Sequence, residues 1–385
     1  MKVVFPYPGY WPYLRRGVER CIHDLAGHLA SRGHQVHVVA STPGRSRTAW
    51  DGDVKVTYVG QLSHPLVFGY APYLRIFAFA AAASRVLASE RADVAHLATY
   101  SIPWAPLLRR FIDLPYLSHL TVRGERIPKE RFSFVTDDPR RADLAAALTE
   151  GAAREVEAQL GIDCEVLPPP VNLVQFRPVG RRDPRRPEVL FPADLADPLK
   201  GGLLLLEAWN EVHRRCPEAV LVLAGPYGLA GWDQQPLEMT AAGGGDLVGS
   251  DSAKAAIEFR GVGEPGSLPA WYSRAAVTVL PSVGEAFGMV LTESLACGTP
   301  VVGSAGEGPG EIIGDRGVGR TVDLGDRGDR AGRLATAILE AIELSRQPAT
   351  RARCREWASQ WGLDVVGSKE ERLLEQVLSS RRGRG

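Results

Sequence analysis

Short apolar runs alternate with amphipathic, helix-like stretches along most of this chain. The first run, MKVVF, leads into the helical pattern VERCIHDLAGHLASRG and then into a second run, HQVHVVAS, with Gly33 where a helix C-cap glycine is expected. Nine further runs have the same character: KVTYV, VAHLA, YLSHLTV, CEVLP, EVLFPA, AVLVLAG, IEFRG, VTVLPS and PVVGS. Strands that are apolar throughout and separated by helices predict an α/β fold with parallel sheets covered on both faces.

A stretch rich in proline and arginine divides this pattern into two halves. It reads LPPPVNLVQFRPVGRRDPRRPE, residues 167–188, and its shortage of core residues is typical of an interdomain linker. A chain of 385 residues is also too long for one ordinary core. We predict an N-terminal domain over 1–170, a linker over 171–187 and a C-terminal domain over 188–360. Residues 361–385 are predicted to form a final helix and a disordered tail, SSRRGRG.

Charge and cysteine content indicate which partners, disulfides and metal sites to expect. The 45 basic and 45 acidic residues cancel, which argues against nucleic acid or an anionic membrane as the main partner. Five scattered cysteines without a CxxC motif favour buried, reduced thiols over disulfides or a zinc site. The N-terminus has no signal-peptide pattern, and no apolar run is long enough to span a bilayer. We therefore expect a cytoplasmic protein with no transmembrane segment.

Several standard catalytic motifs are absent from the sequence. It contains no Walker P-loop, no HExxH, no GxSxG and no G-x-G-x-x-G after the first strand. The eight histidines do not cluster with acidic residues at metal-ligand spacing. We therefore expect neither a metal nor a cofactor.

The most informative stretch is GEAFGMVLTESLACGTPVV, residues 284–302, which follows the strand-like run VTVLPS and consists of a loop, a helix-like run and a strand-like Val-Val. We predict that the helix begins near Phe287 or Gly288. The first N–H groups of a helix lack intrahelical partners and the helix dipole makes that end positive, so phosphate is a natural ligand there. Gly288 has no Cβ to obstruct it. Glu293, in the second turn, points back toward the same end.

Two interpretations of these acidic residues remain open on local grounds. Glu293 could accept hydrogen bonds from the vicinal diol of a ribose, while Glu285 could reach hydroxyl groups beyond the phosphates. A diphosphate with a ribose on one side and a hexose on the other is a sugar nucleotide. Alternatively, Glu285 complements the helix dipole and Glu293 is simply solvated.

At these residues the chain resembles the retaining GT-B glycosyltransferases of family 4, whose E-x7-E signature matches Glu285-x7-Glu293. The further motifs that carry the resemblance are RGVERCIHDLAGHLASRGHQVHVVA, LPPPVNLVQFRP, LKGGLLLLEAW, AVLVLAGP, LPAWYSRAAVTVLPS and GVGRTVDLGD. They cover the C-terminal half almost continuously and the N-terminal half in patches. The resemblance implies an α/β GT-B fold, in which two doubly wound, Rossmann-like domains face a cleft and the last helix returns to the N-terminal domain.

The resemblance also implies roles on the donor side. Glu285 would hold the donor hexose, Glu293 would bind the ribose, and Lys200 would neutralise the departing diphosphate. Backbone positions would line the rest of the donor site: Phe287, Gly288, Met289 and Val290 at hexose and diphosphate, Val262 at the nucleobase, and Gly17 in a glycine loop facing the phosphates.

Two positions depart from the family pattern. The family usually has an arginine a few residues before the lysine, where this sequence has Asp194, so one phosphate-neutralising charge is missing or supplied elsewhere. In the N-terminal domain, the family often has a histidine facing donor and acceptor. Here Arg123 aligns best with it, and His119 lies four residues upstream. His119 and His96 are each either site residues or core histidines.

The reaction that the resemblance implies transfers a glycosyl group from a nucleoside diphosphate sugar to a hydroxyl or similar nucleophile of a small-molecule or glycan acceptor, with retention. No carboxylate is obviously placed as a covalent nucleophile, so we expect a front-face path. The acceptor would lie on the N-terminal domain, where PYPGYWPYLRRG offers aromatic faces for a sugar or an apolar aglycone. Its candidate acceptor residues are Tyr10, Trp11 and Tyr13, although ordinary packing explains them equally well.

Three other functions remain open at this point. A catalytically weak sugar-nucleotide-binding auxiliary protein would fit Asp194, an epimerase of the same fold would need no acceptor, and a phosphorylase would need inorganic phosphate. By analogy, the composition would suit bacterial natural-product or cell-envelope glycosylation. The sequence leaves the base, the sugar, the acceptor and the oligomeric state undetermined.

Overall fold

The computed structural model describes residues 1–14, 16–42, 44–60, 72–98, 113–121, 139–225, 248–264, 266–325 and 328–382. They form two compact units. The first consists of Met1–Pro170 with Leu363–Gly385, and the second of Val171–Gly362. The chain therefore leaves the first unit after Pro170 and returns to it at Leu363.

The first unit contains one sheet of eight strands. Its strands are β1 (Lys2–Pro6), β2 (Gln35–Thr42), β3 (Arg47–Asp51), β4 (Val54–Gly60), β5 (Val94–Ala98), β6 (Tyr116–Leu120), β7 (Leu144–Ala147) and β8 (Cys164–Val166). Their order is β3-β4-β2-β1-β5-β6-β7-β8, and every neighbouring pair is parallel except the edge pair β3–β4. The order reverses between β1 and β5, as in a doubly wound fold.

Helices cover both faces of this sheet. They are α1 (Gly17–Ser31), α2 (Pro72–Glu90), α3 (Glu150–Leu160) and α11 (Leu363–Arg382), with a short 3-10 helix at Pro139–Arg141. Val3 and Phe5 of β1 pack with α1 and α11, whereas Val4 packs with α2 and α3 on the opposite face. Because successive side chains of a strand point to opposite faces, burial of both faces makes the strands apolar throughout.

The second unit contains one parallel sheet of six strands. Its strands are β9 (Glu188–Phe191), β10 (Val220–Leu223), β11 (Ile257–Phe259), β12 (Ala275–Leu280), β13 (Val301–Ser304) and β14 (Gly319–Val322). The order is β11-β10-β9-β12-β13-β14, so the direction of winding reverses between β9 and β12. In open parallel sheets, ligands bind outside the carboxyl ends of the strands at such a reversal.

The second unit also has helices on both faces. They are α4 (Gly202–Arg215), α5 (Asp251–Ala255), α6 (Leu268–Arg274), α7 (Met289–Ala296), α8 (Glu307–Ile312), α9 (Arg330–Arg346) and α10 (Thr350–Ala358), with 3-10 helices at Pro198–Lys200 and Ser359–Trp361. Val277 and Val279 of β12 pack with α4 and α9. Thr278, which points the other way, accepts a 2.8 Å hydrogen bond from Ser294 of α7. The helix that carries Glu293 therefore lies on the face opposite α9.

All eleven apolar runs identified in the sequence form strands. The described part of the chain contains three further strands that were not predicted, β3, β7 and β14. β3 is an exposed edge strand and β14 an edge strand with polar residues, so neither shows a continuous apolar run. β7 reads LAAA, and alanine has low strand propensity, so its strand depends on its parallel neighbours β6 and β8.

Residues 171–187, for which the sequence predicted a linker, belong to the second unit. The Arg182 side chain attaches this segment, because its guanidinium donates to the carbonyls of Gly298, at 2.8 Å, and Ser345, at 3.1 Å. The guanidinium is buried, and burial lowers its pKa to about 10. The segment rich in proline and arginine is therefore where the chain enters the second unit, and it is packed against that unit.

The prediction of a disordered tail over 379–385 is wrong for its first four residues. Helix α11 extends through Arg382. Arg381 explains this extension, since its guanidinium donates to the Asp113 carbonyl at 2.7 Å and pairs with the Asp113 carboxylate at 2.8 Å. Residues 383–385 lie outside the described range.

The structure also shows the state of the cysteines and whether any described helix could span a membrane. All five cysteines are free thiols in buried positions. None of the helices that the structure describes combines the length and the apolar surface needed to cross a bilayer.

His96 and His119, proposed from the sequence as acceptor and catalytic residues, lie in the interior of the first unit. Only 2% of His96 and 1% of His119 is exposed, and the two rings join β5 and β6 to Glu370 of α11. His119 Nε2 is 2.8 Å from the Leu167 carbonyl oxygen, at the end of the chain's first passage through this unit. Both are core histidines, and neither is exposed to contact an acceptor.

The hydrogen bonds that link Glu370, His96, His119 and the Leu167 carbonyl all run in the same direction. A carbonyl only accepts, so His119 Nε2 donates to Leu167, and Nδ1 of the same neutral ring accepts from His96 Nε2 at 3.1 Å. His96 Nδ1 is then an acceptor, and Glu370, 2.5 Å away, donates its carboxyl proton. Burial acts in the same sense, since it lowers the pKa of each histidine to about 3 and raises that of Glu370 to about 8.

Glu370 makes stability depend on pH in a defined direction. His28 and Cys21 of α1 also face Glu370, and His28 opposes the rise of its pKa. Because the folded protein keeps a proton that the unfolded chain releases above the ordinary pKa of 4.5, this contribution is complete below 4.5 and is lost as pH rises toward 8. The Glu370→Gln protein keeps a donor at every pH and lacks this loss.

We therefore predict that wild type loses about 1.4 kcal/mol per pH unit relative to Glu370→Gln between these limits. The free energy of unfolding in urea, measured for both proteins at several pH values from 4.5 to 9, checks this. His96 and His119 lose stability toward acid pH in both proteins and cancel in the difference. Parallel curves for the two proteins across this range would show that Glu370 is not a neutral donor.

Candidate functional site

The structure brings Lys200 and Glu285 together at the carboxyl edge of the second sheet. Lys200 follows β9 and Glu285 follows β12, the two strands that flank the reversal of strand order. Lys200 Nζ lies 2.7 Å from Glu285 Oε2. The side chains are 33% and 17% exposed, so the pair is accessible to a ligand. Two residues proposed from the sequence for one ligand thus form one ion pair.

The segment carrying Lys200 is held against the end of β12. Asp197 begins the 3-10 helix Pro198–Lys200, and its carboxylate accepts from Leu199 N at 2.9 Å. Leu199 O in turn accepts from Val283 N at 2.8 Å. Gly201 follows with φ +74°, and a Cβ at this position would lie 2.1 Å from the Pro281 carbonyl oxygen. Only glycine permits this close approach, which fixes where Lys200 can reach.

Helix α7 begins one residue later than the latest start that the sequence predicted. Met289 is its first residue, and Gly288 precedes it with φ +106°, a conformation that favours glycine. Phe287 is buried and packs edge-on against Trp361, with ring centroids 6.4 Å apart. Met289 and Val290 are half-buried, in the turn whose N–H groups point toward the positive end of the helix. This end can hold an anionic group.

Glu293 lies in the second turn of α7, as predicted, and is 8% exposed. Its Oε2 accepts a 2.8 Å hydrogen bond from the hydroxyl of Tyr272, a residue of α6. Sequence reasoning missed Tyr272. The only available signal was its place in LPAWYSRAAVTVLPS, a motif that carried the resemblance but suggested no role for the tyrosine.

Two further residues that the sequence analysis singled out, Val262 and Asp194, also lie in the second unit. Val262 follows β11 and is 42% exposed, with β10 between its strand and β9. Asp194 follows β9, and its Oδ1 accepts from Ala196 N at 3.0 Å. Burial raises the pKa of Asp194, and the neighbouring Asp197 adds to that rise. Asp194 therefore contributes no positive charge, and within the described part of the chain Lys200 is the cation that contacts Glu285.

A separate groove of about 880 Å³ lies between α4, β14 and α9. Arg214 and Arg320 line it together with Glu211 and Glu340. Arg214 pairs with Glu211 at 2.6 Å, and Arg320 pairs with Glu340 at the same distance. Because these two arginines already contact carboxylates, their positive charge is less available to a diphosphate. The start of α7 is therefore the better candidate for a diphosphate site.

The proposed acceptor residues of the first unit have different surroundings. Tyr10 is 3% exposed, and its hydroxyl donates to Asp51 Oδ2 at 3.0 Å. Burial, with Asp51 beside it, raises the pKa of this phenol. Tyr10 is thus a packed residue that connects the loop after β1 to β3, and an acceptor contact for it stays a prediction.

Trp11 and Tyr13 remain nearer the surface. The Arg20 guanidinium carbon lies 5.0 Å from the centroid of the Trp11 ring. Tyr13 is 67% exposed, and its hydroxyl accepts from Arg47 at 2.8 Å. Gly17 is the first residue of α1. Arg123, the other catalytic candidate, lies outside the described residues.

Comparisons with known proteins agree with this architecture. A family model described as "Glycosyl transferases group 1" matches residues 186–343, and one described as "Glycosyltransferase Family 4" matches residues 15–175. A D-inositol 3-phosphate glycosyltransferase of Streptomyces bingchenggensis is 36% identical over 42% of this chain and 37% of its own length. Another, of Acidothermus cellulolyticus, is 28% identical over 84% of this chain and 78% of its own length. The chain spans less than half the length of the first curated relatives it matches.

Solved structures show the same fold. Sucrose-phosphate synthase from Thermosynechococcus elongatus is similar with a TM-score of 0.77 and 20% identity, over 98% of this chain and 99% of that one. Anabaena HepE in complex with UDP is similar with a TM-score of 0.70 and 19% identity, over 97% and 100%. These likenesses confirm the predicted GT-B fold. The two family models fall one on each half of the chain, and together with the relatives they show that the chain belongs to family 4 of the glycosyltransferases.

Proposed function

We propose that the protein transfers a glycosyl group from a nucleoside diphosphate sugar to an acceptor hydroxyl, with retention of anomeric configuration. The observation that carries this proposal is the accessible Lys200–Glu285 pair at the reversal of the second sheet, close in sequence to the start of α7. The relatives are named as transferases, which supports the activity. They give no support to an epimerase or to a non-catalytic auxiliary protein.

The donor would occupy the second unit as follows. The diphosphate binds the backbone N–H groups at the start of α7, between Phe287 and Val290. Lys200 neutralises its charge, and Glu293 accepts hydrogen bonds from the ribose. Glu285 accepts hydrogen bonds from the hydroxyls of the transferred hexose. The complex of HepE with UDP supports a nucleoside diphosphate as the ligand.

Donor binding would exchange the partner of Lys200. Its ammonium contacts Glu285 at 2.7 Å in the structure, and a diphosphate carries more negative charge than one carboxylate. When Lys200 turns to the phosphate, Glu285 is released to bind the sugar. One ion pair thus prepares both residues and keeps each charge compensated before the donor arrives.

The chemical step we propose follows a front-face path. The bond between the anomeric carbon and the β-phosphate oxygen breaks as the acceptor oxygen forms its bond to the same face of that carbon. The acceptor proton passes to the departing phosphate oxygen, so atoms and charge balance without a covalent enzyme intermediate. Lys200 and the start of α7 stabilise the charge that develops on the diphosphate. We propose that no metal is required in this scheme.

We propose that the acceptor binds the first unit. Exposed Tyr13, whose hydroxyl is bonded to Arg47, supports this by offering an aromatic face suited to a sugar ring. The relatives' names make D-inositol 3-phosphate the first acceptor to assay, beside glycans and small aglycones. A cytoplasmic location likewise remains a proposal.

The test is a melting-temperature screen with UDP, GDP, dTDP and ADP sugars. Since a ligand that binds only the folded state stabilises it, the correct donor should raise the melting temperature. The selected donor is then assayed with each acceptor for release of nucleoside diphosphate. Failure of every nucleotide to shift melting would contradict the proposed function.

Removal of either charge of the pair should greatly reduce turnover but preserve the fold. Because a partly exposed ion pair contributes about 1 kcal/mol or less to stability, we expect Lys200→Ala and Glu285→Ala to melt near wild type. Each should lose on the order of 100-fold or more in kcat, the cost of removing one group that stabilises developing charge or holds the reacting sugar. Steady-state assays with the selected donor and acceptor measure this.

A matched control is available in the same unit. Glu340→Ala breaks the 2.6 Å pair with Arg320, which is also partly exposed. This variant should keep wild-type turnover. Equal losses in Glu340→Ala and Glu285→Ala, or near-normal kcat in Lys200→Ala, would contradict the assignment.

Gly201 provides a test of how the site is positioned. An alanine at φ +74° is strained by roughly 1 to 2 kcal/mol, and its Cβ would also press on the Pro281 carbonyl. Gly180 has φ +73° with nothing near a Cβ, so Gly180→Ala carries the strain alone. We predict that Gly201→Ala melts lower than Gly180→Ala and shows a smaller nucleotide-induced shift. Identical behaviour of the two variants would argue against positioning of Lys200 by this contact.

A further inference from the structure

Tyr272 and Glu293 form a buried contact between α6 and α7. The tyrosine hydroxyl donates to Glu293 Oε2 at 2.8 Å. Tyr272 is 1% exposed and Glu293 is 8% exposed, so water competes little for this hydrogen bond. The proposed donor site includes Glu293 as the ribose ligand but gives Tyr272 no role.

Tyr272 is itself held at several points. Its ring packs against Phe176, with centroids 6.1 Å apart. Its backbone carbonyl accepts from Thr299 Oγ1 at 2.7 Å. Thr299 lies just beyond the end of α7, and its N–H donates to Ser294 O in the same helix. Tyr272 is thus bonded to the middle of α7 through its hydroxyl and to the end of α7 through its backbone.

This arrangement restricts the orientation of the Glu293 carboxyl group. A carboxylate offers about four acceptor positions, and the bond from Tyr272 occupies one of them. A carboxylate held in place before binding loses less conformational freedom when the ligand arrives than one that can rotate. The tyrosine hydroxyl can therefore affect a ligand that it does not touch.

We propose that Tyr272 is a positioning residue of the donor site, which orients Glu293 toward the ribose and sets the preference for ribonucleotide donors. This inference rests on the proposed function, because it takes Glu293 as the ribose ligand. Ribose binding is the same before and during the chemical step. Loss of the Tyr272 hydroxyl should therefore raise the donor KM and leave kcat nearly unchanged.

The first experiment compares nucleotides with and without ribose hydroxyls. Affinities of UDP, GDP and ADP, each with its 2′,3′-dideoxy counterpart, are measured by calorimetry for wild type and Tyr272→Phe. Of the three nucleotides, the one that wild type binds most tightly should have a higher affinity than its dideoxy counterpart. Tyr272→Phe should bind that nucleotide about tenfold more weakly, as expected for loss of a hydrogen bond to a charged group, and bind the dideoxy form as wild type does.

The second experiment is a double-mutant cycle with Glu293→Ala. Residues that act through one contact give non-additive effects. In the Glu293→Ala background, Tyr272→Phe should cause no further loss of affinity. An additional loss of the same size as in wild type would overturn the proposal, because the tyrosine would then act independently of Glu293.

A control separates positioning from general packing. Tyr116→Phe removes a hydroxyl from a fully buried tyrosine of β6, in the first unit, and should leave the preference for ribose hydroxyls unchanged. Equal weakening of both nucleotide forms by Tyr272→Phe, or an unchanged preference, would overturn the positioning role. A wild-type protein that binds no nucleotide would instead contradict the proposed donor site itself.

Discussion

The meeting of Lys200 and Glu285 depends on one constraint, the parallel alignment of β9 with β12. These residues are separated by 85 positions in sequence, yet their charges are 2.7 Å apart. The carboxyl ends of parallel neighbours meet at one edge of a sheet, and reversal of the winding direction there separates the covering helices. Loops that follow β9 and β12 therefore meet over an open edge. Gly201 lets the first of these loops approach Pro281 closely enough for the charges to pair.

Burial distinguishes the polar residues that can act on a ligand from those that stabilise the fold. Lys200 and Glu285 remain partly exposed and can exchange partners. His96, His119 and Glu370 are 2% exposed or less, and their hydrogen bonds run in one direction with a neutral carboxyl at the start. A solvent-exposed pair costs little to break, whereas an uncompensated buried charge is expensive. The first set is therefore suited to binding, and the second to holding α11 on the sheet.

Much of the fold could be predicted from the sequence because doubly covered parallel strands have a strong signature. The E-x7-E residues could be placed because both lie within one strand, loop and helix. Contacts between distant segments could not be predicted. His96 contacts Glu370 of the last helix, and His119 contacts His96. Tyr10 is held by Asp51 of β3, an edge strand without an apolar pattern. Tyr272 was missed because only packing of α6 against α7 brings its hydroxyl to Glu293.

We propose that the second unit binds a nucleoside diphosphate at the start of α7. A crystal structure with the nucleotide selected by the melting screen tests it most directly. We expect the diphosphate at the N–H groups of Met289 and Val290 within reach of Lys200, and the ribose hydroxyls on Glu293. A nucleotide bound in the groove between α4 and α9, or one whose ribose does not contact Glu293, would contradict it.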